Sequence, residues 1–185
     1  MKNYISLVVV FLMVISFTAC FKNNSNSSLI SDENIVLKNG FSIQIPAGWE
    51  ETAAPVGTSM MVVNTSQEPT DERAKTINFH DYYTITLDSQ ENLEEGEYIE
   101  ILKDQLEQGF PDIEFLNENS TEINANQAYA FEASMRQNEI DFKIFLVIIN
   151  GRENDVWILT FNTTALDWDK YVDVFQEVVN SFLIQ

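Results

Sequence analysis

Residues 142–149 constrain the fold of this chain more than any other segment, because they are apolar on both faces of an extended strand. Successive side chains of a β-strand point to opposite faces of its sheet, so such a strand needs cover on both sides. We therefore predict a central strand here. Residues 156–162 are predicted to pair with it through the Asn150-Gly151 turn region, and residues 152–155 make the connection longer than a two-residue hairpin.

Five further segments have the composition or alternation of strands. In the first, Phe41, Ile43 and Ile45 alternate with polar residues, and Pro46-Ala47-Gly48 ends the strand. Trp49 follows, and we expect it to cover the core. The other four segments are residues 59–64, 80–87, 115–123 and 127–135, and in the last of these the alternate residues from Tyr129 to Met135 share an apolar face.

Residues 93–108 are predicted to form a helix in the middle of the chain. Asn92 is the predicted N-cap, with Glu95 in the capping-box position three residues later. Apolar residues at helical spacing predict its buried stripe, which consists of Tyr98, Ile101, Leu102 and Leu106.

Residues 166–182 are predicted to form the closing helix, with Thr164 and Asp167 capping its start. Its apolar residues keep helical spacing over four turns: Trp168, Tyr171, Val172, Phe175, Val178, Val179 and Phe182. Two helices and about seven strands predict an α+β fold in a single globular domain over residues 35–185.

The order of these elements resembles the PsbP-like fold over residues 37–184. The resemblance rests on the Gly40-Phe41 start, the strand and stop through Gly48-Trp49, the middle helix, the long meander and the ending Asn180-Ser181-Phe182. It implies an antiparallel sheet sandwiched between helices, an α/β/α arrangement. Members of this family include extrinsic subunits of photosystem complexes and bacterial lipoproteins, so the resemblance implies a noncatalytic binding or assembly module. No functional residue of the family can be matched to a position here.

The first twenty residues have the layout of an export signal. Lys2 provides the positive start, residues 5–17 form the apolar core, and Thr18-Ala19-Cys20 ends it. This ending resembles a bacterial lipoprotein signal, in which a lipid is attached to the cysteine and the chain is cut before it. We therefore predict a signal peptide over residues 1–19 and a lipidated Cys20. The alternative is an uncleaved transmembrane anchor, which needs about 20 apolar residues.

Residues 20–34 are predicted to be the lipidated cysteine and a flexible tether, because they are rich in Asn and Ser. Fourteen such residues span roughly 20 Å, from about 5 to 6 Å times the square root of the length. The expected location is the extracytoplasmic face of the cell membrane, with Cys20 as the lipid anchor. Because no other cysteine is present, we expect packing rather than disulfides to stabilise the domain.

The chain is strongly acidic, with 10 basic and 29 acidic residues. Removal of the predicted signal peptide also removes Lys2, which leaves 9 basic and 29 acidic residues and a formal charge of 9 minus 29, or −20. Nucleic acid is therefore excluded as a partner, because its recognition depends on clustered Lys and Arg. Residues 88–122 carry twelve carboxylates against Lys103 alone. Such a run predicts a solvated surface, or alternatively one that meets basic partners or divalent cations and repels anionic lipid.

Candidate catalytic and metal-binding residues are few. The chain lacks zinc-protease, nucleophile-elbow and phosphate-loop motifs, and His80 is its single histidine, so a hydrolase would need a serine beside it. No cofactor is predicted. Glu94, Glu95 and Glu97 are weak candidates for calcium ligands, although the EF-hand pattern is absent. The tryptophans, Met60-Met61 and Tyr82-Tyr83 predict core, or alternatively a ligand groove.

Three hypotheses about function follow from the sequence. The first is a lipid-tethered, noncatalytic binding or assembly module whose partner is an envelope protein or a small ligand. The second is a cell-envelope solute or divalent-cation binder, which requires a concave pocket with convergent polar groups. The third is an envelope hydrolase, which requires a nucleophile beside His80.

Overall fold

A seven-stranded sheet and a three-stranded sheet make up the β-structure in the computed structural model, which describes residues 34–91 and 93–185. The predicted signal peptide, Cys20 and the predicted tether as far as residue 33 lie outside these residues. No helix in the described part of the chain is long and apolar enough to cross a membrane. In chain order, the elements are β1 (Ile35–Lys38), β2 (Phe41–Gln44), β3 (Trp49–Thr52), β4 (Met60–Asn64), α1 (Glu72–Thr76), β5 (Tyr82–Ser89), α2 (Glu95–Gly109), β6 (Glu114–Ile123), β7 (Asn126–Gln137), β8 (Ile140–Asn150), β9 (Asp155–Thr164), α3 (Trp168–Ser181) and β10 (Leu183–Ile184).

The seven-stranded sheet has the order β3-β4-β5-β9-β8-β7-β6, and every neighbouring pair is antiparallel. Helix α3 and the small sheet cover one face, and helices α1 and α2 cover the other. The predicted α+β fold with an antiparallel sheet between helices is therefore confirmed.

Strand β8 lies inside the sheet between β7 and β9, as its two apolar faces predict. Val147 and Ile149 point into the core beneath α3, whereas Leu146 and Ile148 point into the core beneath α2. All four side chains are buried. Successive residues of β8 therefore contribute to different cores, one on each face of the main sheet.

Helix α3 confirms the predicted closing helix, and the aromatic ring of Phe175 occupies its centre. This side chain is fully buried, and its ring centroid lies 4.9 Å from that of Phe161 in the sheet. The predicted cap is wrong in detail. Asp167, not Thr164, is the N-cap residue, and the Thr164 hydroxyl donates a hydrogen bond to the Asp167 carboxylate.

Helix α2 begins at Glu95, with Glu94 as its N-cap, so the predicted N-cap Asn92, which lies outside the described residues, does not flank the helix. The carboxylate of Glu97 accepts the backbone N–H of Glu94 at 3.3 Å, so the capping box is shifted by two residues from the predicted one. The buried stripe contains Ile99 where Ile101 was predicted. Its other members, Tyr98, Leu102 and Leu106, are confirmed.

The small sheet was not predicted. Strand β2 was expected in the main sheet, but it pairs with β1 on one side and β10 on the other. Phe41 of β2 stacks on Phe182 with 5.4 Å between ring centroids, because the small sheet and the end of α3 share one core. The preceding turn needs Gly40: its φ is +92°, and a Cβ atom there would lie 3.2 Å from the Trp157 ring.

Candidate functional site

The predicted metal ligands at the start of α2 do not converge. Glu97 is engaged with the backbone of Glu94, and Glu95 accepts a hydrogen bond from the Asn150 amide at 3.4 Å. Across residues 34–91 and 93–185, no three His, Cys, Asp or Glu side chains form a group that could hold a metal ion. Calcium binding by these glutamates therefore stays a prediction without a preformed site, and Cys20 lies outside the described residues.

His80 precedes β5 rather than lying within it. Its Nδ1 atom is buried, and no described residue forms a hydrogen bond with it. The neighbouring Asp81 points elsewhere, since its carboxylate accepts the Thr163 hydroxyl at 2.7 Å. The pairing of a serine with a histidine that the hydrolase hypothesis requires is therefore not made through Nδ1 of this residue.

The predicted groove residues lie in the core. All three tryptophans, Met60-Met61 and Tyr82-Tyr83 are buried, which confirms the core interpretation. A shallow pocket instead lies between the small sheet and α3, lined by Gln44, Pro46, Val174, Glu177 and Val178.

A polar cluster, buried except for Gln67, connects β4, β9 and the residue before β5 to the first turn of α3. Besides the bond from Thr163 to Asp81, the Asn64 amide donates to the Tyr171 hydroxyl at 2.8 Å, and that hydroxyl donates to Gln67 at 3.2 Å. Asp81 and Asn64 are each 1% exposed. We call these five residues the α3 polar cluster.

Two acidic residues beside α3 have pKa values that are shifted in opposite directions. Burial raises the pKa of Asp81 to about 6, although its hydrogen bond from Thr163 partly opposes this shift. Burial also acts to raise the pKa of Asp167, but hydrogen bonds from the hydroxyl and N–H of Thr70 and from Thr164 outweigh it and lower the pKa. Perturbed pKa values often mark catalytic sites. Here their hydrogen-bond partners come from β9 and from the segment before α1, so the geometry is that of a structural contact.

The outer face of α2 is the most acidic surface of the described domain. Glu97, Glu100, Asp104 and Glu107 are exposed and spaced by three, four and three residues, so they lie along one side of the helix. We call them the α2 acidic row. Like charges at these spacings destabilise a helix by about 0.2 to 0.5 kcal/mol per pair, so helix stability does not account for the row.

Lys103, the single basic residue in residues 88–122, contacts side chains of β6 and β7. Its ammonium group contacts the Glu118 carboxylate and lies 5.3, 5.7 and 5.9 Å from the ring centroids of Phe115, Tyr129 and Phe131. Glu118 also accepts the Tyr129 hydroxyl, and these hydrogen bonds lower its pKa. The cation therefore joins α2 to β6 and β7 and forms no salt bridge with the α2 acidic row.

The outer face of the small sheet is apolar and exposed. Leu37 and Leu183 lie opposite Ser42 on either side of β2, so all three share one face, and Ile35 extends that face along β1. Leu37 is 71% exposed, Ile35 58% and Leu183 46%. The Gln185 amide donates to the Ser42 hydroxyl at 3.1 Å, which leaves the leucines as the protruding side chains. Neither motif nor periodicity indicated this surface, because it exists only once the β1–β2 hairpin pairs with β10 from the other end of the domain.

Comparison with known proteins agrees with this architecture. The family model described as PsbP matches residues 36–184. Among curated proteins, no sequence matches this chain significantly.

Three solved structures illustrate how similar folds occur at low sequence identity. LpqN of Mycobacterium tuberculosis, described as involved in cell envelope biogenesis, has a TM-score of 0.60 and 13% identity, covering 80% of this chain and 86% of its own. The putative regulator PA94 of Pseudomonas aeruginosa has a TM-score of 0.58 and 14% identity, with coverages of 82% and 96%. Cyanobacterial PsbP (CyanoP) of Synechocystis has a TM-score of 0.57 and 12% identity, with coverages of 87% and 98%.

Proposed function

This chain belongs to the PsbP family, and from that membership we propose that it is a membrane-tethered, extracytoplasmic lipoprotein acting as a noncatalytic binding or assembly module. The match to the family over residues 36–184 is the observation that carries the proposal. The description of LpqN as a protein of cell envelope biogenesis supports an envelope role. The tether and anchor are the segment before β1 and the lipidated Cys20.

The chemistry of the described domain supports a module that acts through its surface. Asp81, Asp167 and Tyr171 are engaged in hydrogen bonds with neighbouring elements, and Lys103 is engaged with Glu118. The pocket between the small sheet and α3 is shallow and mostly apolar. A solute-binding site would instead present convergent polar groups in a deep cleft.

The α2 acidic row is the surface we assign to a protein partner. It is exposed, it carries four carboxylates in succession, and no basic side chain within the described residues pairs with those carboxylates in a salt bridge. Complementary charge speeds association and selects partners more than it adds affinity. We therefore expect a partner with a basic surface, and we expect added salt to weaken the complex.

Photo-crosslinking in intact cells tests this proposal. A photo-reactive residue replaces Asp104 in the α2 acidic row or, as a matched control, the exposed Asp173 on α3, which lies across the main sheet. We expect one discrete adduct from position 104, none of the same mass from position 173, and loss of the adduct in the Cys20→Ser variant. The same adducts from both positions, or none from either, would contradict a specific partner at this surface.

A further inference from the structure

We propose that the outer face of the small sheet rests on the lipid surface that holds the anchor, so that the domain docks on its own membrane in one orientation. This proposal deepens the proposed function and depends on the lipidation of Cys20. Its ligand is the headgroup and upper acyl region of a bilayer. The surface consists of the protruding side chains of Ile35, Leu37 and Leu183.

The composition of this face suits a lipid interface. By strand alternation, the side chains on it are Ile35 and Leu37 of β1, Ser42 and Gln44 of β2, and Leu183, so none carries a charge. The next charged side chain on β1, Lys38, belongs to the opposite face and pairs with Glu51 at 2.6 Å. An uncharged apolar face is unusual on a chain with a formal charge of −19.

The position of the anchor places this face next to the membrane. Only residues 21–34 separate Cys20 from β1, and the carbonyl oxygen of Asn34 accepts the Ile45 N–H at 3.0 Å. The chain therefore enters the domain at an end of the small sheet. A tether of this length and composition spans roughly 20 Å, which holds the face at about millimolar effective concentration near the bilayer. Three aliphatic side chains then suffice for docking, although they would not recruit a free protein.

The distribution of charge favours the same orientation. The small sheet lies on the α3 side of the main sheet, and α2 lies on the opposite side. When the small sheet faces lipid, the α2 acidic row therefore points away from the membrane and its lipid phosphates. The α2 acidic row then faces the aqueous compartment, where it is accessible to the proposed basic partner.

Fluorescence quenching on vesicles tests the orientation. The acylated full chain carries an environment-sensitive dye at Leu37→Cys or, as a control, at Leu166→Cys, since these leucines are 71% and 66% exposed in the wild-type domain. Each protein is reconstituted into phosphatidylcholine vesicles, and quenching by aqueous iodide is measured on the attached fraction. Acylated Cys20 has no free thiol, so the dye reports one site. Leu183→Glu is the disrupting variant, and Leu87→Glu, exposed at 43% elsewhere, is its control.

We expect quenching at position 37 to fall by up to about half relative to position 166, since millimolar affinity at millimolar effective concentration keeps the face docked about half the time. Leu183→Glu should restore quenching, Leu87→Glu should not, and phosphatidylglycerol should weaken protection.

Equal quenching at both positions on attached protein would overturn the proposal. Protection at position 37 in native membranes but not in pure vesicles would also overturn it, because a protein would then cover the face. Protein that fails to co-float with vesicles would instead contradict the anchor.

Discussion

The hydroxyl group of Thr163 donates a hydrogen bond across 2.7 Å to the carboxylate of Asp81, which is 1% exposed. The two residues are 82 positions apart in the chain, and their contact joins the end of β9 to the start of β5. Hydrogen bonds from the side chains of Thr163 and Asn64 compensate only part of the cost of burying this carboxylate. The ionised form is therefore disfavoured, and the stability of the fold depends on pH at this residue.

Asp81 should make the domain less stable as the pH rises. Its pKa is about 6 in the folded protein, against an ordinary value of 3.8, so the folded state holds the proton more tightly. The stabilisation is complete below about pH 4 and is lost as the pH rises to about 6. Asp81→Asn cannot ionise, so it should gain stability relative to wild type across this window, by at most about 3 kcal/mol at 1.36 kcal/mol per pKa unit. Urea unfolding at pH 4, 5, 6 and 7 measures the difference, and a constant difference between the two proteins would contradict the prediction.

Asp167→Asn should show the opposite dependence and serves as the matched variant. The pKa of Asp167 is lowered because Thr70 and Thr164 donate to it, so its stabilising contribution is present above the ordinary pKa and is lost as the pH falls. The variant should be less stable than wild type at pH 7 and approach it in acid. The same unfolding series measures both variants. A deficit that does not shrink in acid would indicate a loss of packing instead.

Phe175→Ala should be among the most damaging core substitutions. The Phe175 ring is fully buried against Phe161, Tyr171 and Trp49, and no disulfide restrains the fold. We expect a loss of about 3 to 5 kcal/mol, a large part of the 5 to 15 kcal/mol typical of a domain. Thermal unfolding measures it, with the exposed Gln176→Ala as control. An unchanged melting temperature for Phe175→Ala would mean that α3 does not pack as described.

Lys103→Met should destabilise the packing of α2 on β6 and β7. It removes a cation near three aromatic rings, each contact of this kind being worth about 0.5 to 2 kcal/mol, and it leaves Glu118 without its basic partner. Lys75→Met is the control, because the pair of Lys75 with Glu72 is exposed and such pairs contribute little to stability. Urea unfolding compares them. Equal losses for the two variants would show that the rings around Lys103 add nothing.

Salt should stabilise the domain gradually. The α2 acidic row consists of like charges, and ions screen their repulsion. Sodium chloride should therefore raise the melting temperature, and Glu100→Gln with Glu107→Gln should reduce that rise. Calcium at matched ionic strength should add little, because no preformed metal group exists in the described part of the chain. A saturable micromolar calcium isotherm with a stoichiometry near one, abolished by neutralising Glu94 and Glu95, would contradict this prediction.

Cys20→Ser should release the domain from the membrane or block its maturation. Two or more acyl chains give stable attachment, at about 0.8 kcal/mol per buried CH₂ group. Fractionation of cells and N-terminal sequencing measure the outcome, with Asn23→Ser in the tether as control. A Cys20→Ser protein that stays in the membrane with residues 1–19 intact would support the transmembrane anchor instead.

Local periodicity was sufficient for the long elements. The stripe from Trp168 to Phe182 predicted α3, and the two apolar faces of residues 142–149 predicted the interior position of β8. The small sheet was not predicted because β1 has four residues and β10 has two, which are too few to show a periodic pattern. The β1–β2 pair is a hairpin of neighbouring residues, whereas the pairing of β10 with β2 joins opposite ends of the domain, which no local window contains.

For the candidate site residues too, local sequence predicted some features, whereas others depend on contacts between distant residues. His80 was a candidate because histidine is the usual catalytic base, whereas the carboxyl group whose pKa is raised by burial belongs to its neighbour Asp81. The sequence by itself determined the alternation of the strands, the stripe of α3 and the acidic charge, and it predicted a signal ending at Cys20, since each is a property of neighbouring residues. The tertiary structure alone decided that Asp81 is buried beside Thr163, that Lys103 lies among aromatic rings, and that Leu37 and Leu183 share an exposed face. Desolvation, hydrogen bonding and exposure depend on which distant segments meet, and that is settled only when the sheets pair and the helices pack against them.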